Sequence, residues 1–204
     1  MNMHFTSKAD TLFKLRGKIK HASVLPQFSF TIEMWEASGK DVDKLWNNKP
    51  KWANDLLIVR SSGQTEDKSN ESMAGHFETV ANVSTKSELN TAINTVHKSF
   101  HSKNPKNQIF IQPMLKNISI SGVAFTRDPN NGSYYNIVNY DKRSNKSDTV
   151  TSGKVNDLNI YYHFEDAPLP KENWLSKIIL LLKELKEYFK SDALDLEFGY
   201  DKYE

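Results

Sequence analysis

Apolar positions recur along this chain with two periods, one helical and one extended, and the changes between them mark out its elements. Residues 8–17, KADTLFKLRG, place Leu12, Phe13 and Leu15 on helical spacing and end on the stop signal Gly17. Pro26 then precedes Phe28 and Phe30, whose alternation predicts a short strand within 25–35. A second helix is expected around 41–47, ahead of Pro50. DLLIVR, residues 55–60, is a β-branched apolar run and predicts a buried strand. Phe77, Thr79, Ala81 and Val83 alternate as another strand. Over 88–101, Leu89, Ile93, Val96 and Phe100 keep helical spacing behind a cap at Thr85 or Ser87. QIFIQPML, 108–115, is extended, and Pro113 within it predicts an edge strand or a bend. SISGVAFTRD (119–128) and SYYNIVNY (133–140) flank Asn131-Gly132, a hairpin turn signal. DLNIYYHF (157–164) predicts a further strand. An amphipathic helix over 171–190 sets Trp174, Ile178, Leu181, Leu185 and Tyr188 on one face. Leu194, Leu196 and Phe198 alternate as a closing strand. Helices interleaved with antiparallel strands, without strict β-α-β order, make an α+β pattern.

The 204 residues are enough for one large domain or two small lobes with a real core. Mean hydropathy is −0.63 and the net charge is +2 with both signs dispersed, so nothing demands a nucleic acid or membrane partner. The absence of cysteine excludes disulfides, thiolate catalysis and Cys-based zinc. No window approaches the apolar length of a membrane span, and MNMHFTSKAD lacks a signal-peptide core, so a cytoplasmic location is expected.

One stretch fits neither period. VRSSGQTEDKSNESMAGHFET, residues 59–79, leaves a strand and continues through small, polar and charged side chains. A loop of that length in a compact domain is functional or disordered. Arg60 stands at the strand end before Ser61, Ser62 and Gly63, a setting in which a guanidinium meets hydroxyl and backbone N–H groups and suits a polyphosphate. A plain ion pair to a carboxylate such as Glu66 explains Arg60 about equally well. Asp195 and Glu197 share one face of the last strand and could hold magnesium against phosphates, although a solvated face is the simpler reading of the pair alone. His97 and His101 have a metal-like i,i+4 spacing but no third ligand in view, and His76 has no telling acidic neighbour; for these the solvated reading is preferred. No G-x-x-x-x-G-K-[ST], G-x-G-x-x-G or G-x-S-x-G pattern occurs.

Four blocks in order resemble the nucleotide-binding domain of the phosphoenolpyruvate synthase and pyruvate phosphate dikinase family. Residues 59–79 resemble its V-R-S-S-x-x-x-E-D-x-x-x-x-S-x-A-G-x-x-x-T block. IQPML (111–115) with SGVAFTRDPNNG (121–132) resembles V-Q-x-M-V and S-G-V-x-F-T-x-D-P-x-x-G. DLEFGYD (195–201) resembles D-I-E-W/F, and SKADTLFKL (7–15) with LPQFSFT (25–31) resembles G-G-K-x-x-N-L followed by V-P-x-G-F. The resemblance implies an ATP-grasp architecture of two lobes with mixed or antiparallel sheets holding ATP between them, expected here as 1–106 and 107–204. It also implies transfer of a phosphoryl group from ATP to a histidine on a separate domain or chain. Carried over by position, Lys8 and Arg60 would hold the phosphates and Thr79 would line the phosphate side. Gln112 and Met114 would frame the adenine. Glu197, with Asp195, would bind Mg2+. Arg127 and Asp128 fall in a matching block, and Arg127 is expected among the nucleotide contacts.

The departures favour a second reading. The family's glycine-rich G-L-G-E-x-V-x-S-G segment is NYDKRSNKSDTVTSG (139–153) here, and Gly-Gly-Lys has become Thr6-Ser7-Lys8. The sequence contains neither the family's L-x-x-Q-x-R-P block nor a phosphohistidine segment. The expectation is therefore an incomplete phosphotransferase or, in the alternative, a nucleotide-binding regulatory module without transfer. Residues 61–75 are expected to form a phosphate-covering lid, with 63–74 mobile without ATP.

Overall fold

The computed structural model describes residues 4–63, 78–100, 104–142 and 159–201. The chain divides into two compact units, one built from 5–18 and 24–114, the other from 1–4, 19–23 and 115–204.

In the first unit, α1 (Lys8–Leu15), β1 (Phe28–Thr31), α2 (Ile32–Ala37), β2 (Leu57–Ser62), β3 (Thr79–Val83), α3 (Lys86–Ser99) and β4 (Gln108–Pro113) follow in chain order, with short 3-10 turns at Val42–Lys44 and Lys51–Asn54. Four antiparallel strands pair in the order β1-β4-β2-β3. Phe30, Leu57, Val59, Val83, Ile109 and Ile111 project from one face and meet Leu89, Ala92, Ile93 and Val96 of α3 and Ile32 and Trp35 of α2. Each valine, leucine, isoleucine or phenylalanine among them contributes about 1.5–3 kcal/mol when fully removed from water. α3 begins in a capping box: Thr85 Oγ1 accepts from the Glu88 N–H at 3.2 Å, and a Glu88 carboxylate oxygen accepts from the Thr85 N–H at 3.0 Å. The Ser84 N–H and hydroxyl also donate to the Glu88 carboxylate, at 2.9 and 2.8 Å, and these bonds, with that from the Thr85 N–H, hold the Glu88 carboxyl below its ordinary value.

Two local expectations change. The helix predicted around 41–47 is only the 3-10 turn at Val42–Lys44, and the α-helix starts earlier, inside the segment read as extended. Thr31 ends β1 and caps α2, its hydroxyl accepting from the Met34 N–H at 3.2 Å. Left-handed Gly39 and Lys40, at φ +69° and +63°, then break the helix before 41. The second change concerns β4, which is an inner strand and not an edge. Pro113 is its last residue and pairs with Leu57 of β2, while the β1 ladder has already ended at Phe28 opposite Ile111. The missing N–H of Pro113 therefore interrupts no ladder on that side.

The second unit holds β5 (Ile118–Phe125), β6 (Tyr135–Asp141), β7 (Asn159–Phe164), α4 (Asn173–Phe189) and β8 (Asp195–Asp201). Its sheet is antiparallel, in the order β7-β6-β5-β8. α4 lays Trp174, Leu175, Ile178, Ile179 and Leu182 on Ile120, Ala124 and Val138. The predicted β5–β6 hairpin forms; Gly132 sits at φ +73° and its N–H donates to the Asp128 carbonyl at 2.8 Å. Among the described residues, no helix is long and apolar enough to cross a membrane.

Candidate nucleotide site

Arg60 and Thr79, two of the residues expected on the phosphate side, stand on one face of the first sheet. Leu57 and Val59 enter the apolar core, so the alternation of β2 turns Ile58, Arg60 and Ser62 to the opposite face. Arg60 is opposite Thr79 on β3 and opposite Phe110 on β4. Ile58 is opposite Gln112, and Ser62 is opposite Gln108. Directly opposed residues share a face, so Arg60, Thr79 and Gln112 lie on one surface away from α3.

Lys8 is the first residue of α1, and the start of that helix is anchored on the same surface. Ser7 caps that helix, its hydroxyl accepting from the Asp10 N–H at 3.2 Å, and also donates to Gln108 Oε1. The Ala9 N–H donates to Ser62 Oγ at 2.9 Å, and both residues are fully buried. Gln108 Nε2 donates to Asp10 Oδ1 at 3.1 Å, and Gln27 Nε2 to the Ala9 carbonyl at 2.8 Å. The residues on either side of Lys8 are thus pinned to Ser62 and Gln108, a register pair of β2 and β4. Arg60 lies two residues along β2 from Ser62, a rise of about 7 Å. A helix start that carries Lys8, anchored on the face that carries Arg60, is an arrangement that attracts oxyanions. Sequence reasoning missed Ser62 and Gln108 as anchors; an N-cap serine before Lys8 is visible in the sequence, but Ser7 bonds to Gln108 about 100 residues away and Ala9 to Ser62 about 50 residues away.

Gln112 is buried at 6 % exposure. Met114 follows the end of β4, and its N–H donates to the Leu56 carbonyl at 2.8 Å. These two, Lys8, Arg60 and Thr79 all belong to the first unit.

The remaining expected residues lie in the second unit. Asp195 and Glu197 are both exposed and alternate with Leu196 and Phe198, which pack toward α4. Among the described residues no cluster of three or more histidines and acids that could hold a metal occurs, and the residues expected to hold one are the two carboxylates Asp195 and Glu197. That set suits Mg2+, which keeps several waters and binds through one or two carboxylates together with phosphate oxygens. Arg127 has its partners within the second unit: it pairs with Asp192 ahead of β8, donates to the Gly132 carbonyl at 3.3 Å and lies 4.0 Å over the Tyr134 ring. The Asp192 carboxylate raises the Arg127 pKa further above its ordinary value. His97 of α3 faces Glu36 at 3.6 Å. Glu66, His76, His101, most of the lid segment 61–75 and most of the altered glycine-rich segment lie outside the described residues.

Comparison with known proteins places the chain in a family. The profile of the pyruvate phosphate dikinase AMP/ATP-binding domain matches residues 9–189. No curated protein matches. Among solved structures, the crystal structure of PH1788 from Pyrococcus horikoshii Ot3 is similar over 98 % of this chain and 87 % of that one, at 15 % identity and a TM-score of 0.48. With helices flanking two antiparallel sheets, and with the profile spanning both units, the chain belongs to the pyruvate phosphate dikinase AMP/ATP-binding domain family and has its α+β, ATP-grasp-like fold.

Proposed function

We propose that this chain binds ATP with Mg2+ and passes a phosphoryl group to a histidine on another domain or chain, in the cytoplasm. The observation that carries the proposal is the face holding Arg60, Thr79 and Gln112 beside the anchored start of α1, in a chain of an AMP/ATP-binding family. Lys8 and Arg60 neutralise the phosphates, and Arg60 offers a fork that a point charge cannot reproduce. Thr79 lines the phosphate side. Gln112 and Met114 frame the adenine. Asp195 and Glu197 hold the metal, which when bound neutralises charge on the phosphate oxygens. The chain's own residues bind, orient and neutralise; the nucleophile is the acceptor imidazole, so little covalent work falls to this protein.

Isothermal titration with ATP and Mg2+ tests binding, and heat at a single site is the expected result. Transfer of label from ATP to a phosphohistidine domain supplied in trans tests the reaction. The changed glycine-rich segment at 139–153 favours one competing reading, a nucleotide-binding module without transfer. Binding without any transfer would establish that reading, and absence of binding would remove both.

A further inference from the structure

β3 departs from its ladder at one point. Leu57 pairs with Val83 and Val59 with Val80, so β3 spends one more residue than β2 over this stretch. This is a β-bulge, a feature that re-aims a strand or a side chain. Its extra length is absorbed at Asn82, which sits in the left-handed region at φ +61°. Asparagine tolerates that conformation better than most non-glycine residues, and a β-branched residue does not.

The bulge frees the Asn82 N–H from the usual ladder pattern, and it donates to Met114 Sδ at 3.1 Å. The Met114 N–H in turn donates to the Leu56 carbonyl, next to the bulge partner Leu57. Met114 is therefore held at its backbone by the chain entering β2 and at its sulfur by β3. A methionine has three rotatable side-chain bonds and ordinarily adapts to its surroundings, so a backbone donor on its thioether selects among its conformers.

Resting on the reading that Met114 borders the adenine, we propose that Asn82 is a positioning residue for the nucleobase. Its left-handed backbone holds the Met114 thioether in place as a wall of the base subsite. The device acts on the base and leaves phosphate recognition at Lys8 and Arg60 untouched. A competing account is that the bulge only blunts the edge strand β3 against pairing with other chains. That account predicts no selective effect on the base.

The experiment titrates Mg2+–ATP and Mg2+–tripolyphosphate into the full chain and into Asn82→Gly, Asn82→Val and Met114→Leu variants, with thermal unfolding in parallel. Asn82→Val is expected to weaken ATP roughly tenfold, the factor equivalent to about 1.4 kcal/mol, and to leave tripolyphosphate within about twofold. Asn82→Gly, which accepts a positive φ, keeps ATP affinity. Met114→Leu removes the sulfur acceptor without touching the bulge; it weakens ATP alone and supplies the same readout if Asn82→Val fails to fold. Adding Asn82→Val to Met114→Leu brings no further loss, because both act through one contact. Equal loss of both ligands in the valine variant, unchanged ATP affinity there or in Met114→Leu, or a loss in the glycine variant as large as in the valine one overturns the inference. A wild-type chain that binds no ATP overturns the proposed function and this inference with it, whereas binding by the wild type together with a silent Asn82→Val overturns this inference alone.

Discussion

Arg60 and Thr79 stand directly opposite each other across the β2–β3 ladder, on the face of the sheet turned away from α3. The pair lies at the two ends of the long polar segment 61–78, so the ladder returns the chain to the place where that segment began. Replacing Arg60 by Ala removes a charge-assisted donor set of about 1.5–3 kcal/mol, so ATP is expected to bind roughly 10- to 100-fold more weakly. Arg60→Lys keeps the charge without the planar fork and should recover only part of that affinity. Calorimetric titration reads both variants, and an alanine variant that binds ATP like the wild type would remove Arg60 from the site.

Ser62 anchors α1, and the expected consequence of its loss is structural. Ser62→Ala leaves the fully buried Ala9 N–H without its acceptor. An orphaned buried donor costs about 1–3 kcal/mol, which urea unfolding should resolve. ATP affinity should fall as well, since Lys8 sits between Ser7 and Ala9. Unchanged stability would show that α1 is held mainly through Gln108 and Gln27.

Gly122 on β5 has no room for a side chain. A Cβ there would lie 2.2 Å from the Asn139 carbonyl oxygen and 2.8 Å from Cζ of Phe198. The carbonyl belongs to the paired strand β6 and cannot rotate away. Gly122→Ala should therefore cost about 1–3 kcal/mol, the usual range for overpacking, as read from the unfolding midpoint. A neutral result would mean that β5 and β6 separate more easily than their register implies.

His163 gives the fold a pH dependence of known sign. It is 2 % exposed on β7, and burial, assisted by the Lys183 charge, pushes its pKa below the ordinary 6.5. The unfolded chain takes up this proton near the ordinary value, before the folded chain does. The His163 contribution is therefore fully present above 6.5 and is lost as pH falls toward the folded value. His163→Gln should flatten the drop in urea midpoint between about pH 7.5 and about pH 5.5, relative to wild type. Parallel curves for the two proteins would contradict this assignment.

Much of the architecture was legible because its signals are local. The alternation of Leu57 and Val59, the helical spacing of Leu89, Ile93 and Val96, and the Asn131-Gly132 turn each act over a few residues. The start of α2 was not legible, because Thr31 can continue a strand or cap a helix, and α2 packs its Ile32 and Trp35 into a core assembled from distant segments. The edge alternative at Pro113 failed for a related reason: whether a proline interrupts a ladder depends on where the neighbouring strand stops, and β1 stops opposite Ile111.

For this protein the sequence alone determined the identity and order of most elements, the α+β class, the family resemblance and the residue types available to a nucleotide. Tertiary structure decided which of those residues meet. It put Arg60 opposite Thr79, seated α1 on Ser62 and Gln108, turned Arg127 onto Asp192, and bent β3 at Asn82 so that a backbone N–H reaches Met114. The physical reason is range. Hydrophobic period and turn chemistry are properties of neighbouring residues, whereas strand register and side-chain anchoring are set by contacts between segments tens of residues apart, which exist only once the chain has folded.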